Sequence, residues 1–190
     1  MKIRPIILAS GNSERFQENK LLYPLNGKPI VCHIMDELLL LVEKKLVQTP
    51  FVVTQYHEIV TLGKERNFIP LWNDFANKGI SESIKIGVAS AEHTDAYLFL
   101  TADQPYLKAN VLEGFIAGFI DSKKDLGCVT HQEQMGSPTI FKKKYQDELR
   151  SLTGDVGGKN ILHQNKNALF LYPVDTNVVK DIDKKTDLLL

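Results

Sequence analysis

Short apolar runs alternate along the chain with segments whose apolar residues recur at helical spacing. The clearest strand lies at residues 95–101, because its run of successive apolar side chains suits the middle of a covered sheet. Strands are predicted at residues 3–9, 48–54, 68–72, 95–101, 126–131, 137–141, 169–174 and 178–182. Helices are predicted at residues 29–45, 57–66, 81–91, 110–120, 142–152 and 157–164, with a helical tail from residue 184. This alternation predicts an α/β sheet with helices on both faces, in a single domain that spans residues 1–190.

Charge balance and cysteine content exclude several classes of protein. The 23 Lys and Arg residues balance 23 Asp and Glu residues, and the resulting net charge of +0 disfavours a basic nucleic-acid binder. Two cysteines, Cys32 and Cys128, are too few for a multi-cysteine zinc site and do not resemble a secreted disulfide framework. No stretch approaches the roughly 20 apolar residues of a membrane span, and the first apolar run is too short for a signal peptide. We therefore expect a cytoplasmic protein that binds neither nucleic acid nor membrane.

The loop after the first predicted strand carries small residues followed by two cations. In open α/β sheets a ligand lies beyond the carboxyl ends of the strands, which is where this loop would stand. Gly11 can adopt a positive φ, and successive backbone N–H groups in such a loop can surround an anion. Arg15 and Lys20 add positive charge at the same place, and the combination suits a triphosphate. A solvated loop with surface charges explains the same residues, because short clusters of Ser, Gly and Asn are common in loops.

Aspartates follow two of the predicted strands. Asp103 comes directly after the strongest strand, and Asp181 and Asp183 lie at the end of the last one, where side chains two apart share a face. Magnesium takes oxygen ligands, typically one or two carboxylates together with phosphate oxygens and water. Asp103 and one of the two later aspartates therefore form a candidate magnesium site. A carboxylate that only caps a turn is the alternative interpretation of Asp103.

A series of motifs resembles the MobA-like nucleotidyltransferases, which share a molybdopterin-guanylyltransferase-like fold. The N-terminal motif comprises Leu8-Ala9-Ser10-Gly11, Arg15, Lys20-Leu21-Leu22 and Gly27-Lys28-Pro29. The later motifs are Gly79-Ile80-Ser81-Glu82-Ser83-Ile84, Asp103-Gln104-Pro105, Gly136-Ser137-Pro138-Thr139-Ile140-Phe141, Gly154-Asp155-Val156-Gly157-Gly158-Lys159 and Asp181-Ile182-Asp183 with Asp187-Leu188. The Asp-Gln-Pro, Gly-x-Pro and Gly-Asp-x-Gly-Gly motifs are similar to one branch of the family, the molybdenum cofactor cytidylyltransferases. Departures at Gln17, Ala102 and Lys184-Lys185 remove no charged group that the chemistry needs.

This resemblance implies a fold and an activity. The implied fold is a three-layer α/β/α sandwich with a Rossmann-like, mostly parallel mixed sheet, like that of nucleotide-diphospho-sugar transferases. The implied enzyme is a nucleotidyltransferase that depends on Mg²⁺ (or Mn²⁺). CTP is the favoured nucleoside triphosphate and molybdopterin the expected phosphate-bearing acceptor. The products would be the cytosine dinucleotide form of the cofactor and pyrophosphate.

The resemblance also implies roles for individual residues. Arg15, Lys20 and Asp103 are expected to act in catalysis, with the two cations at the β- and γ-phosphates. Asp103 and Asp183 are the expected metal ligands, Asp183 being preferred to Asp181 because it matches the closing motif. The expected nucleotide-binding residues are Leu8, Ala9, Ser10, Gly11, Arg15, Lys20, Ser81 and Ser83.

Two of these segments have a second interpretation. Ser81 is also suited to be the N-cap of its predicted helix, a role that needs no nucleotide. Residues 154–159 begin a predicted helix with small residues, which suits an acceptor phosphate as well as a plain helix entry.

Three further functions use the same motifs. An enzyme of this fold can use GTP in place of CTP, or a sugar phosphate or alditol phosphate as the acceptor. A non-catalytic accessory protein could carry the cofactor to a molybdenum hydroxylase apoprotein, in which case no pyrophosphate is released. A glycosyltransferase with an Asp-x-Asp motif is disfavoured, because it needs no cations on the pyrophosphate side.

Overall fold

A seven-stranded sheet forms the centre of the protein in the computed structural model, which describes residues 1–13, 16 and 18–188. The strands follow the order β5-β4-β1-β6-β8-β7-β9 across the sheet. Strand β8 runs antiparallel to both of its neighbours, and all the other pairings in this sheet are parallel. The strands of this sheet are β1 (Ile3–Ala9), β4 (Phe51–Thr54), β5 (Ile69–Trp72), β6 (Ala96–Thr101), β7 (Leu126–His131), β8 (Gln134–Lys142) and β9 (Leu169–Pro173). Strands β2 (Pro24–Leu25) and β3 (Lys28–Pro29) form a separate antiparallel hairpin.

Helices cover both faces of the sheet. Adjacent strand residues point to opposite sides, and apolar side chains on each side pack against helices. Ile7 belongs to an apolar cluster with residues of α1, α2 and α4, whereas its neighbour Ile6 packs with residues of α3, α5 and α6. The helices are α1 (Ile30–Glu43), α2 (His57–Glu65), α3 (Ile80–Ser90), α4 (Ala109–Ser122), α5 (Gln146–Arg150) and α6 (Lys159–Gln164). The predicted three-layer arrangement with a mostly parallel mixed sheet is therefore confirmed. None of the helices in the described part of the chain is long and apolar enough to cross a membrane.

The last third of the chain departs most from the predicted elements. The strand predicted at residues 178–182 is wrong, because a short 3-10 helix at Thr176–Val179 is followed by extended chain that joins no sheet. The apolar residues of that segment have another cause, since Val179 and Ile182 are both buried against other parts of the protein. The helix predicted at residues 142–152 divides into a 3-10 helix at Lys143–Tyr145 and the short α5. The helical tail is present as a 3-10 helix at Lys185–Leu188.

Asp36 of α1 joins two other elements through its carboxylate. It accepts a hydrogen bond from Lys28 of the β2–β3 hairpin and one of 2.8 Å from Arg66, the residue after α2. Burial acts to raise the pKa of Asp36, but these hydrogen bonds and charges outweigh it and hold the pKa below its ordinary value. A carboxyl whose pKa is lowered in the folded state stabilises the fold above its unfolded pKa, and this contribution is lost as the pH falls through the folded pKa.

We expect Asp36→Asn to lower the free energy of unfolding by about 0.5–1 kcal/mol at pH 7, the range of partly exposed ion pairs. The difference from the wild type should shrink as the pH falls below about 4, the unfolded pKa of Asp. Urea unfolding at several pH values measures both effects. Asp121→Asn, at an exposed position near the end of α4, is the matched control and should change stability little. A deficit of Asp36→Asn that did not depend on pH would contradict the electrostatic explanation.

Candidate functional site

A cleft of about 610 Å³ opens at the carboxyl edge of the sheet. The loop after β1, the first turn of α3 and the end of β6 supply most of its wall, and Asp155 and Asp183 complete it. Its lining residues are Leu8, Ser10, Gly11, Asn12, Ser13, Lys20, Leu21, Ala76, Asn77, Gly79, Ile80, Ser83, Thr101, Ala102, Asp103, Asp155 and Asp183. The cleft therefore stands where ligands of open α/β sheets bind.

Lys20 lies between the two aspartates that the sequence suggested as metal ligands. Its Nζ is 2.6 Å from Asp103 Oδ2 and 3.2 Å from Asp183 Oδ1. The side chains of Lys20 and Asp103 are only 13% and 19% exposed, so water screens their charges weakly. Burial by itself lowers the pKa of Lys20, but the charges and hydrogen bonds of the two carboxylates outweigh it and raise the pKa above its ordinary value. Lys20 therefore carries its proton throughout the physiological pH range.

The local chain fixes where Lys20 stands. Lys20 begins a 3-10 helix at Lys20–Leu22, and the side chain of Asn19 accepts a hydrogen bond of 3.1 Å from the backbone N–H of Leu21. Leu21 is buried in the apolar core beneath the cleft. Asn19 and Leu21 on either side are thus held in place, and the Lys20 side chain between them extends to the carboxylates of Asp103 and Asp183.

Asp103 and Asp183 are joined through the backbone rather than through neighbouring strands. The Ile182 N–H donates to the Asp103 carbonyl at 3.0 Å, and Gln104 Nε2 donates to the Val179 carbonyl at 3.1 Å. Ile182 is fully buried in a small apolar cluster with residues of the β2–β3 hairpin and α1. These contacts fasten the C-terminal segment to the turn after β6. The predicted proximity of the two carboxylates is present, although the strand invoked to explain it is not.

Asp187 holds the turn that presents Asp183. Its Oδ2 accepts hydrogen bonds from the backbone N–H groups of Asp183 at 2.9 Å and Lys184 at 2.8 Å. These two bonds lower the pKa of Asp187. The alternative metal ligand, Asp181, is exposed as a whole residue and is not part of the cleft wall. Loss of hydration at its carboxyl group and the negative charge of Asp103 raise the pKa of Asp181 to about 6.

The loop after β1 is held in place from the neighbouring strand β4. Gln55 Nε2 donates to the Ser10 carbonyl at 2.7 Å and to Asn12 Oδ1 at 2.8 Å. The Tyr56 hydroxyl donates to the Gly11 carbonyl at 2.8 Å, and Ser10 Oγ is itself bonded to a carbonyl of β4. Gln55 and Tyr56 were not predicted as site residues, because no local pattern in the sequence reveals a hydrogen bond between segments 45 residues apart.

Ser13 of this loop is left-handed, with a φ of 55°, whereas Gly11, which could adopt a positive φ, does not do so. A Cβ atom at Gly11 would meet nothing within 4 Å, so the protein itself does not require a glycine there. Gly11 lines the cleft, and its missing side chain leaves room for a ligand to approach the backbone.

Five of the eight predicted nucleotide-binding residues line the cleft, namely Leu8, Ser10, Gly11, Lys20 and Ser83. Ala9 points into the apolar core and Ser81 is fully buried outside the cleft wall. Arg15 lies outside the described residues. Gly79, not Ser81, precedes α3, so the proposed N-cap role of Ser81 is wrong.

The segment predicted to receive an acceptor phosphate contacts the start of α3. Asp155 Oδ1 accepts from the Ile80 N–H at 3.3 Å, and the Gly154 carbonyl accepts from the Ser81 N–H at 3.2 Å. Gly79 has a φ of 100°, and a Cβ atom built on it would lie 2.3 Å from the Gly154 carbonyl carbon. This close approach brings Asp155 to the cleft wall.

Three buried oxygen atoms in the cleft wall have no hydrogen-bond partner within the described part of the chain. They are Ser13 Oγ, Thr101 Oγ1 and Asp103 Oδ1. Buried polar groups in proteins nearly always have a partner, so atoms of this kind in a cleft indicate where a ligand would bind. The described residues contain no group of three or more His, Cys, Asp or Glu side chains that could hold a metal ion.

We expect Gly79→Ala to lower the free energy of unfolding by about 2 kcal/mol or more, because the new methyl group meets backbone atoms and the positive φ strains an alanine. Gly157→Ala is the matched control from the segment that contains Gly154, since a Cβ atom there meets nothing within 4 Å and no positive φ is involved. Denaturant unfolding of the two variants measures the difference. Equal stability of both variants would contradict the close contact between Gly79 and Gly154.

Comparison with known proteins places the chain in a family. The profile of the MobA-like NTP transferase domain matches residues 5–169. A "Probable molybdenum cofactor guanylyltransferase" of Pyrococcus horikoshii is 28% identical over 160 residues, which cover 82% of this chain and 75% of that protein. The "Purine catabolism protein PucB" of Bacillus subtilis is 26% identical over 193 residues, covering 94% of this chain and 90% of that protein.

A solved structure shares the fold. The crystal structure of Rv0371c from Mycobacterium tuberculosis H37Rv superposes with a TM-score of 0.79 at 18% identity, covering 98% of this chain and 95% of that chain. The chain belongs to the MobA-like NTP transferase family and is a nucleotidyltransferase.

Proposed function

We propose that this enzyme transfers a cytidylyl group from CTP to the terminal phosphate of molybdopterin and releases pyrophosphate. The observation that carries the nucleotidyl transfer is the position of Lys20, whose ammonium group lies between Asp103 and Asp183 in the cleft. CTP is favoured by the Asp-Gln-Pro, Gly-x-Pro and Gly-Asp-x-Gly-Gly motifs, which resemble those of cytidylyltransferases. A molybdenum cofactor as the acceptor is supported by the name of the Pyrococcus relative.

The residues of the cleft fit a divalent cation, with Mg²⁺ as the first candidate. Asp103 Oδ1 is buried and has no hydrogen-bond partner within the described residues, as expected of an oxygen reserved for a ligand. Two carboxylates are the usual protein contribution to a magnesium site that also uses phosphate oxygens and water. Asp103 and Asp183 would hold the cation. When bound, the cation would offset the charge of the triphosphate and orient its phosphates.

The chain's own residues supply mainly position and charge. In the reaction an oxygen of the acceptor phosphate forms a bond to the α-phosphorus, and the bond from that phosphorus to the pyrophosphate oxygen breaks. Lys20 brings a protonated ammonium group to the cleft, where it offsets negative charge that builds on the departing pyrophosphate. Arg15 is proposed as a second cation at the same phosphates. The loop at residues 10–12, fixed by Gln55 and Tyr56, provides a rigid backbone against which the phosphates are positioned.

Guanylyl transfer from GTP is a second candidate, favoured by the name of the Pyrococcus relative. A sugar phosphate or an alditol phosphate is the alternative acceptor. A carrier of finished cofactor for a molybdenum hydroxylase would bind the cofactor without releasing pyrophosphate.

Thermal unfolding with Mg²⁺ and each of CTP, GTP, ATP and UTP tests the donor. We expect CTP with Mg²⁺ to raise the melting temperature, since a ligand at about 100 times its Kd adds roughly 2.7 kcal/mol of stability. Asp103→Asn should abolish this shift and pyrophosphate release, because it removes a charge without changing the size of the side chain. Asp95→Asn, just before the opposite end of β6, is the matched control and should keep both.

Each other outcome selects a different function. A shift confined to GTP would replace the donor and leave the chemistry unchanged. Pyrophosphate release that depends on a sugar phosphate would replace the acceptor. Cofactor binding without any nucleotide effect would favour the carrier and overturn the proposed reaction.

We expect Lys20→Met to lower kcat/KM for pyrophosphate release by about 100-fold or more, the effect of losing one preorganised charge at a transition state. The same variant leaves Asp103 and Asp183 without their shared cation, so Mg²⁺ alone should raise its melting temperature more than that of the wild type. Steady-state kinetics and thermal unfolding measure the two effects. Near wild-type kcat/KM in Lys20→Met would remove Lys20 from the mechanism.

A further inference from the structure

Thr101 is the last residue of β6 and stands two residues before Asp103. It lies in register with Leu8 of β1, and both residues line the cleft. The adjacent backbone is hydrogen-bonded to β1, since the Ala102 N–H donates to the Leu8 carbonyl at 3.2 Å. Thr101 is therefore held at the cleft by a central strand rather than by a loop.

The Thr101 hydroxyl differs from others in the cleft wall. Ser10 Oγ donates to a carbonyl of β4 at 3.1 Å, and Ser83 Oγ accepts from the buried Asn73 side chain at 3.0 Å, so both serve the folded protein. Thr101 Oγ1 is buried and has no partner within the described residues. A buried hydroxyl without a hydrogen bond costs free energy, which a ligand can recover by supplying the missing partner.

We infer that Thr101 is a nucleotide-binding residue whose hydroxyl donates a hydrogen bond to an oxygen of the bound nucleoside triphosphate. This inference rests on the proposed function and assigns a further contact of the same cleft. The oxygen belongs to a ribose hydroxyl or to a phosphate, and both accept a hydrogen bond from threonine. Because Thr101 is neutral and held by the sheet, its contribution is orientation of the nucleotide rather than neutralisation of charge.

The test compares the stability of the free protein with its affinity for nucleotide. Thr101→Val removes the hydroxyl, keeps the shape and suits a strand, so the melting temperature of the free protein should be unchanged or higher. Its Kd for CTP with Mg²⁺, or for GTP if that is the donor bound, should rise about five- to tenfold, the value of one hydrogen bond. Thr101→Ser keeps the hydroxyl and should restore the affinity.

Thr94→Val is the matched control. Thr94 lies just before the opposite end of β6, and its buried hydroxyl is bonded to the carbonyls of Lys2 at 2.8 Å and Ala96 at 2.9 Å. This variant should lower the melting temperature and leave the Kd for nucleotide unchanged. If the Thr101 hydroxyl binds the nucleotide, Thr101→Val weakens nucleotide binding without loss of stability, whereas Thr94→Val lowers stability without weakening nucleotide binding.

Two further ligands identify the oxygen. If the partner is the 2′-hydroxyl of the ribose, the 2′-deoxynucleoside triphosphate should bind equally to the wild type and to Thr101→Val. If the partner is a phosphate of the leaving group, Thr101→Val should also weaken binding of pyrophosphate with Mg²⁺. A loss that persists with the deoxynucleotide and is absent with pyrophosphate assigns the 3′-hydroxyl or the α-phosphate.

Failure of the inference differs from failure of the proposed function. If the wild type binds nucleotide and Thr101→Val binds it equally well, or if Thr101→Val destabilises the free protein as Thr94→Val does, the inference alone is overturned. If the wild type binds no nucleotide with Mg²⁺, the proposed function and the inference fall together.

Discussion

The ion pairs of Lys20 with Asp103 and Asp183 are the contacts around which the cleft is arranged. Two carboxylates that converge at one edge of a sheet repel each other unless a cation lies between them. Lys20 supplies that cation within the protein, since its ammonium group lies within ion-pair distance of both carboxylates. The charged side chains of the cleft are therefore already in place before a nucleotide binds.

Three distant segments of the chain must meet for this arrangement to form. Parallel pairing of β1 with β6 brings the carboxyl ends of both strands to one edge of the sheet. The chain that leads from β1 to Lys20 therefore starts near the turn that contains Asp103. The third segment is irregular, and it depends on single contacts: the Gln104 bond to the Val179 carbonyl, the Ile182 bond to the Asp103 carbonyl and the Asp187 cap of Asp183. The rigid sheet fixes Asp103, whereas side-chain hydrogen bonds fix Asp183.

The sequence predicts the sheet and its helices well, because apolar periodicity records which faces are buried. The run at residues 96–100 is apolar because apolar clusters cover both faces of β6 in the structure. The same signal misleads at residues 178–182, where Val179 and Ile182 are buried by packing against other segments rather than by a sheet. The order of the motifs along the chain suggests Lys20, Asp103 and Asp183 as site residues. Gln55, Tyr56 and Thr101 escaped prediction because a side chain's partner, or its lack of one, is a property of the folded chain alone.

The distribution of hydrogen bonds divides the cleft wall into structural and ligand-facing groups. The hydroxyl groups of Ser10 and Ser83 are bonded within the protein, and Gln55 Nε2 binds the Ser10 carbonyl, so these contacts hold the wall rigid. Ser13 Oγ, Thr101 Oγ1 and Asp103 Oδ1, on residues that line the same cleft, are buried and have no hydrogen-bond partner among the residues that the structure describes. A nucleotidyltransferase accelerates its reaction mainly by positioning, and groups that are fixed yet unbonded need no rearrangement before they meet a substrate. A nucleotide that supplies the missing partners would recover the free-energy cost of burying these atoms, and this would link the stability of the free enzyme to its affinity for substrate.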